Sequence, residues 1–270
     1  MWARQVLANL SVAKADTLVN LVNWLAIPLL IVYLFCMVLV PWFKGNWDWV
    51  NLQAVWDRWQ TLNAAILAFI ASFIALNISK YHENKQRDRK FTAARAFLPH
   101  ALSELLGYYK DCGKLLMSVW AHINSRGEYE NLGAQFTEKL PTPPASYAET
   151  FSRCIEHADP DVGDYMATIL MQLQVHQSRL KDMHEVINMN GPMVVTPSNV
   201  ISYLYSLAKL SALTEKLFPF ARGMGGFDNS ALAWNDYHNA YCHLEVWPED
   251  VDGLKEFTER QIAKNGKTSF

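Results

Sequence analysis

Residues 24–42 read WLAIPLLIVYLFCMVLVPW, and this apolar stretch decides the fold of the chain. No charged residue occurs between Asp16 and Lys44. At a helical rise of about 1.5 Å per residue the stretch is roughly 28 Å long, which is close to the thickness of the hydrocarbon core of a bilayer. The stretch therefore predicts a membrane-spanning helix over about residues 20–43.

A second uncharged run lies between Trp59 and Ser79, and its apolar body is LNAAILAFIASFIALNI, residues 62–78. This body is at the short end of the range that can cross a bilayer. We expect a second span over about residues 60–79 and therefore a transmembrane hairpin within residues 1–82. Residues 2–24 have an amphipathic pattern, and that helix could either lie in the membrane interface or extend the first span.

Residues 83–270 form the second predicted domain, which we expect to be a cytoplasmic helical bundle. From Phe91 to Ile123 the apolar residues recur with a helical period, and Pro99 is expected to bend or break that helix. No alternating pattern typical of a strand appears. Three later helix starts are signalled by capping and first-turn residues: Ser146 with Glu149 as a capping box, Asp159 with Pro160, and Thr196 with Pro197. The expected fold class is an all-α membrane protein, with a two-helix transmembrane hairpin followed by a helical bundle.

A cluster of basic residues directly follows the second span, and we call it the basic collar: Lys80, Lys85, Arg87, Arg89, Lys90 and Arg95. Residues 80–95 carry a net charge of +4, whereas residues 96–270 carry −7. Because Lys and Arg collect on the cytoplasmic side of membranes, the collar predicts a multi-pass protein of the bacterial inner membrane with both termini in the cytoplasm. A nucleic-acid patch is the alternative for the collar, but the acidic body is not expected to bind nucleic acid directly.

The connection between the spans, residues 44–58, is rich in tryptophan and is expected to be a loop pressed onto the outer membrane surface. Tryptophan prefers the headgroup level, where its ring is apolar and its N–H stays hydrated. The expected interfacial anchors, around this loop and at the start of the first span, are Trp24, Trp42, Trp47, Trp49, Trp56 and Trp59. An aromatic ligand platform is the alternative, and a loop without a fold of its own argues against it.

The second span carries small residues on one side, which we call the small-residue stripe: Ala64, Ala68, Ala71, Ser72 and Ala75. In lipid, small side chains permit close approach of helix backbones. The stripe is therefore either the seam against the first span or a face for self-association. The first span is rich in Leu, Ile and Val and offers few small residues in return, which favours a homo-oligomer.

The histidines form no convincing metal site. His238 and His243 flank Cys242, but a step of five residues places the two rings about 140° apart on a helix. His176 and His184 share a face without the H-E-x-x-H spacing of a zinc enzyme. Surface or core positions explain these residues better, and we expect no metal.

Signatures of catalysis are also missing from the sequence. There is no G-x-S-x-G motif, and no convincing local pattern of cysteine and histidine. The segment RGMGG, residues 222–226, could form a phosphate-binding nest, but it matches neither a P-loop nor G-x-G-x-x-G and favours a flexible linker. We expect no cofactor and no enzymatic activity.

The stretch ARAFLPHALSELLGYYKDC, residues 94–112, follows two spans and a basic collar. In this architecture the chain resembles small bacterial two-span membrane proteins that act as effectors in phage-defence systems, including retron-associated ones. The resemblance covers about residues 20–120 and supplies no catalytic or binding residues. It implies a toxin-like protein that harms the host membrane when a sensor releases it.

Two hypotheses from different classes follow. The first is a non-enzymatic membrane effector, restrained by a cytoplasmic protein or ribonucleoprotein partner, whose spans associate in lipid when it is released. The second is a membrane-anchored scaffold or sensor subunit of a complex, in which the spans are only an anchor. An enzyme with an unrecognised site is a third possibility, for which no residue can be named.

Overall fold

The computed structural model describes residues 24–25, 28–125, 136–188 and 195–265, and within these ranges the chain is helical and has no strand. The helices in chain order are α1 (Pro28–Lys44), α2 (Trp49–Arg58), α3 (Gln60–Arg95), α4 (Leu98–Ser125), α5 (Tyr147–His157), α6 (Pro160–Asn188), α7 (Pro197–Ala221), α8 (Trp234–His243) and α9 (Leu254–Asn265). The chain divides into two compact units, Met1–His82 and Glu83–Phe270.

Helix α3 is 36 residues long and contains no glycine or proline, so nothing in its sequence interrupts the backbone hydrogen bonds. The prediction that this helix continues past the apolar body into the basic collar is confirmed. It ends at Arg95, and two residues, Ala96 and Phe97, separate it from α4. Pro99 lies in the first turn of α4, where its missing N–H costs no helical bond, so the predicted break at this proline is also confirmed.

Among the described residues, α3 is the one helix long and apolar enough to cross a membrane by length and composition. Helix α1 is also apolar, but with 17 residues it is too short to count as a spanning helix by length. The first crossing of the predicted hairpin, over about residues 20–43, therefore remains a prediction.

The prediction of a loop over residues 44–58 is wrong, because most of that segment is helix α2. The chain turns at residues 45–48, where Asn46 and Trp47 adopt positive φ angles of 54° and 67°. The Asp48 side chain then accepts a hydrogen bond of 3.1 Å from the backbone N–H of Val50 and caps the new helix. Helix α2 packs against α1 and buries Leu52.

Helix α7 lies at the centre of the second unit and packs against α4, α6, α8 and α9. It is apolar around most of its circumference, as a helix surrounded by others must be, and Leu204, Leu207 and Leu217 are fully buried. The expected helical bundle is therefore the fold of this unit.

The N-termini of three helices test the capping signals read from the sequence. Helices α6 and α7 begin at Pro160 and Pro197 as expected, and the Thr196 side chain accepts a bond from the backbone N–H of Asn199. The capping box predicted at Ser146 is wrong. The Ser146 hydroxyl instead donates to the carboxylate of Glu104 on α4, so a tertiary partner replaces the local one.

Two glycines on α4 give a matched test of packing. A Cβ on Gly113 would lie 3.0 Å from the backbone oxygen of Leu244, whereas a Cβ on Gly107 meets nothing within 4 Å. We expect Gly107→Ala to raise the free energy of unfolding by about 0.5–1 kcal/mol, because alanine is the better helix former. Gly113→Ala should lower it by about 1–2 kcal/mol, because the added methyl overpacks the contact. Denaturant unfolding of the detergent-solubilised chain, followed by near-UV circular dichroism, measures both, and equal shifts would contradict this packing.

Candidate functional site

The small-residue stripe is exposed in the single chain. All five of its residues are solvent-accessible on α3, whereas Asn63, Ile66, Ile70 and Phe73 on the same helix are buried or half-buried. At 100° per residue these two sets lie on roughly opposite sides of α3. Within one chain, therefore, the stripe faces away from the covered side of its helix.

A polar contact joins α1 to the beginning of α3. The Tyr33 hydroxyl donates to Asn63 Oδ1 at 2.7 Å, and Asn63 Nδ2 donates to the backbone oxygen of Trp56 at 3.3 Å. Asn63 is only 5% exposed, so both of its hydrogen-bonding groups are paired inside the unit. This pairing satisfies an amide that would otherwise be costly to bury.

A second contact joins α1 to α2. The indole N–H of Trp56 donates to the backbone oxygen of Met37 at 2.9 Å. Met37 lies in a π-helical stretch of α1, Phe35–Leu39, where the wider turn disturbs the regular bonding of carbonyls along the helix. Because Trp56 takes up one of these carbonyls, its side chain serves the fold as well as any interfacial role.

These contacts were not predicted from the sequence. Asn63 and Tyr33 lie within the two apolar runs, and a polar side chain inside such a run is itself a signal for a specific partner. The pairing between them could not be read from the sequence, because it depends on the turn at residues 45–48.

The six predicted tryptophan anchors differ in their surroundings. Trp42 is half-buried and makes an edge-to-face contact with Trp47, with ring centroids 5.4 Å apart. The other five are exposed, from 38% for Trp56 to 76% for Trp24. Most of the indole surface in this unit is therefore available to a surrounding medium.

The basic collar divides into an exposed part and a packed part. Lys85, Arg87, Arg89 and Lys90 are exposed. Arg87 still pairs with Asp159 at the start of α6, at 3.6 Å.

Arg95 belongs to the packed part of the collar. Its guanidinium lies over the rings of Phe91 and Phe220, at 5.9 and 5.5 Å from their centroids. Ala94 beside it is buried, so the last turns of α3 are part of the core of the second unit.

Three of the four histidines singled out in the sequence have structural partners. His243 Nδ1 lies 2.9 Å from Glu215 Oε1, and His184 Nε2 lies 2.8 Å from the backbone oxygen of Glu138. His238 Nε2 is 4.0 Å from Cys242 Sγ. Among the described residues, no group of three or more His, Cys, Asp or Glu side chains could hold a metal ion.

The glycine segment after α7 is a helix cap. The backbone N–H groups of Arg222, Gly223 and Met224 donate to carbonyls in the last turn of α7, at 2.9–3.0 Å. Gly223 adopts a φ of +69°, which an L side chain rarely adopts. Because these N–H groups are already bonded, they are not available to cradle a phosphate.

The buried thiols in the second unit are poor nucleophiles. Cys112 and Cys154 are completely buried, and burial raises the pKa of Cys112 to about 12 and that of Cys154 to about 11. A thiol that stays protonated neither attacks a substrate nor binds a metal readily.

His176 is the most unusual polar side chain in the second unit. It lies on the inner face of α6, is 3% exposed, and neither ring nitrogen has a hydrogen-bond partner. Burial, with a smaller effect of the nearby Arg179 charge, lowers its pKa from the ordinary 6.5 to about 4. The ring is therefore a neutral part of the core at physiological pH.

Comparison of the chain with protein-family models, with curated proteins and with solved structures found no match.

His176 makes the stability of the second unit depend on pH. Its folded pKa is depressed, so between about pH 6.5 and pH 4 the unfolded chain binds a proton that the folded chain does not. We therefore expect the free energy of unfolding to decrease as the pH is lowered through that window. His176 alone contributes at most about 1.4 kcal/mol per pH unit to this decrease. Urea unfolding of the solubilised chain between pH 7.5 and 5 measures the slope.

His176→Leu should remove most of this slope and raise stability at pH 5, because an apolar side chain of similar size leaves no unpaired nitrogen. His100→Leu, at an exposed position on α4, is the matched control and should leave the slope in place. A slope that is unchanged in His176→Leu would show that other groups cause it.

Proposed function

We propose that this chain is a non-enzymatic integral protein of the bacterial inner membrane. It acts in anti-phage defence as an effector that permeabilises the membrane when a cytoplasmic protein or ribonucleoprotein partner releases it. The observation that carries the proposal is α3, a single helix whose apolar body is uncovered at residues 62–78 and whose last turns are packed into the core of the helical bundle.

The apolar side chains of α3 support a lipid environment. Leu67, Phe69 and Leu76 are 57–63% exposed, along a segment with no charged residue. In water this surface would remain unfavourable, whereas the hydrocarbon of a bilayer accommodates it and α3 satisfies its own backbone groups. In the proposed topology the segment ending in α1 makes the first crossing, and the basic collar favours a cytoplasmic location for both termini.

The end of α3 supports a link between the bundle and the membrane. Arg87 pairs with Asp159, and Arg95 lies between Phe91 and Phe220. A partner that shifts these contacts in the bundle acts directly on a helix without glycine or proline. This is the element through which release by a partner reaches the lipid-embedded segment.

The small-residue stripe supports association of released chains. It is exposed and lies opposite the side of α3 that carries Asn63, so a second copy reaches it without disturbing the contact between Tyr33 and Asn63. Small side chains in lipid allow the close backbone approach that stabilises helix pairs.

Expression of the chain without its partner should depolarise cells within one or two generations, as measured with a potential-sensitive dye. Ala68→Leu and Ala71→Leu should reduce this depolarisation by at least five-fold, because leucine holds the helices apart at the stripe. Leu76→Phe adds bulk at an exposed position outside the stripe and should leave the depolarisation unchanged. Normal membrane potential at full membrane expression of the unaltered chain would contradict the effector function.

The alternative function is a membrane-anchored scaffold or sensor subunit of a complex. Met171 and Val175 favour it, because they are 59% and 46% exposed one turn apart on α6, on a body that is otherwise acidic. Exposed apolar neighbours on a charged surface are typical of a site for another protein.

Replacement of residues 1–79 by an unrelated two-span anchor of the same topology separates the two functions. The effector should lose its toxicity, because the spans themselves act on the membrane. A scaffold should keep full biological activity with the foreign anchor, and that result would favour the alternative. Immunoblotting of the membrane fraction confirms equal levels of the two proteins.

A further inference from the structure

Charged residues fix the position of α3 in a bilayer. Asp57 and Arg58 precede its apolar body, and Lys80 follows it. The 22 helical steps from Arg58 to Lys80 extend about 33 Å at the helical rise, which matches the hydrocarbon core with little to spare. In the membrane, Asp57 and Arg58 therefore lie outside the hydrocarbon, since burying either charge is costly.

The hydrogen bonds of the first unit relate the depth of α1 in the bilayer to the depth of α2 and α3. Tyr33 is level with Asn63, because the two side chains are 2.7 Å apart. Met37 is level with Trp56, because the indole N–H bonds to its backbone oxygen. Helical hydrogen bonding continues from α2 into α3, because the backbone N–H of Trp59 donates to the oxygen of Val55 and that of Asn63 to the oxygen of Trp59. Trp56 therefore lies on the outer side of Asp57 and Arg58. Met37 must then lie outside the hydrocarbon as well.

We propose that residues 37–59 form a helical hairpin that docks into the phospholipid headgroup layer, and that the first membrane-crossing segment ends near Phe35. The inference rests on the membrane insertion proposed above and changes the depth of the first crossing, which the sequence pattern had placed at about residues 20–43. The apolar run at residues 24–42 is thus divided between hydrocarbon and interface.

The hairpin is a folded piece with its own contacts. Trp47 packs edge-on against Trp42 and Phe43, with centroid distances of 5.4 and 5.3 Å. Asp48 caps α2, and Met37 and Leu52 are buried between the two arms of the hairpin. These contacts hold the end of α1 and helix α2 at the same depth in the membrane.

The surface of the hairpin fits a headgroup layer. Phe43, Trp47, Trp49 and Val50 are 64–68% exposed and cluster around the turn, close to the capping carboxylate of Asp48. Together, the charged residues in 37–59 sum to zero. Exposed indoles beside polar and charged groups are typical of the membrane interface, and suit neither hydrocarbon nor bulk water.

The sequence permits this shift in depth. The uncharged stretch from Thr17 to Phe43 is longer than one crossing requires, so a crossing over residues 17–35 is long enough to span and brings no charge into the hydrocarbon. The π-helical stretch Phe35–Leu39 then falls at the boundary, where Trp56 satisfies the carbonyl of Met37.

Cysteine labelling in membranes tests the depth of α1. Leu39 and Leu30 are matched positions, since their side chains are 44% and 39% exposed in the chain. Leu39→Cys and Leu30→Cys are made in a full-length chain carrying Cys36→Ser and Cys242→Ser, which leaves only the fully buried Cys112 and Cys154. A water-soluble maleimide is applied to open membrane fragments, so that both surfaces are accessible.

We expect Leu39→Cys to react at least ten-fold faster than Leu30→Cys, because position 39 lies in the hydrated interface and position 30 in the hydrocarbon. The two should react at similar rates after the membranes are dissolved in sodium dodecyl sulfate, which controls for intrinsic thiol reactivity. Slow labelling at both positions in membranes would overturn the interfacial hairpin and leave membrane insertion standing. Fast labelling at both would overturn insertion itself.

Discussion

The balance between apolar surface and its surroundings governs this chain, and its two units meet that constraint in different ways. In the bundle, protein covers the apolar side chains, and Leu204 and Leu207 on α7 have no exposed surface. Along α3, residues 62–78 are as apolar but stay largely uncovered. Each large apolar side chain left in water forgoes about 1.5–3 kcal/mol, so a run of this length demands a partner or a different solvent. In the proposed function, lipid meets that demand around the exposed sides of the helix.

Two buried polar side chains show how differently the units treat hydrogen-bonding groups. Asn63 is paired through both its oxygen and its nitrogen, and its contacts fix the level of α1 against α2 and α3. His176 is buried without a partner on either ring nitrogen, which costs stability and ties the bundle to pH. Asn63 thus specifies an arrangement of helices, while His176 is an unpaired polar group that the core tolerates near neutral pH.

Local signals in the sequence predicted much of the fold. The continuity of α3 followed from the absence of glycine and proline, and the starts of α6 and α7 followed from Pro160 and Pro197. The helix over 49–58 also had a signal, because Trp49, Leu52 and Trp56 are spaced by three and four residues. The same tryptophans also fit the pattern of interfacial anchors, so the sequence favoured a loop at this position.

The candidate site was harder to predict, since its contacts join residues that are distant in the sequence. Tyr33 and Asn63 are 30 residues apart, and no local pattern pairs them. The hydroxyl of Ser146 was expected to cap its own helix but donates to Glu104, 42 residues away. Small residues on α3 could be found from the sequence, whereas the side of the helix on which the chain itself packs could not.

The position of the small-residue stripe has a consequence for symmetry. A stripe that packs against the same stripe of a second copy makes a two-fold contact, and that contact closes at a dimer. Two copies joined in this way have no free stripe left for a third copy, and two copies cannot surround a pore. To build a ring, the stripe must instead meet a different surface of the next subunit, such as the flank of α3 that carries Leu67 and Ile74. The number of subunits in any ring is then set by the angle between those two surfaces of one helix.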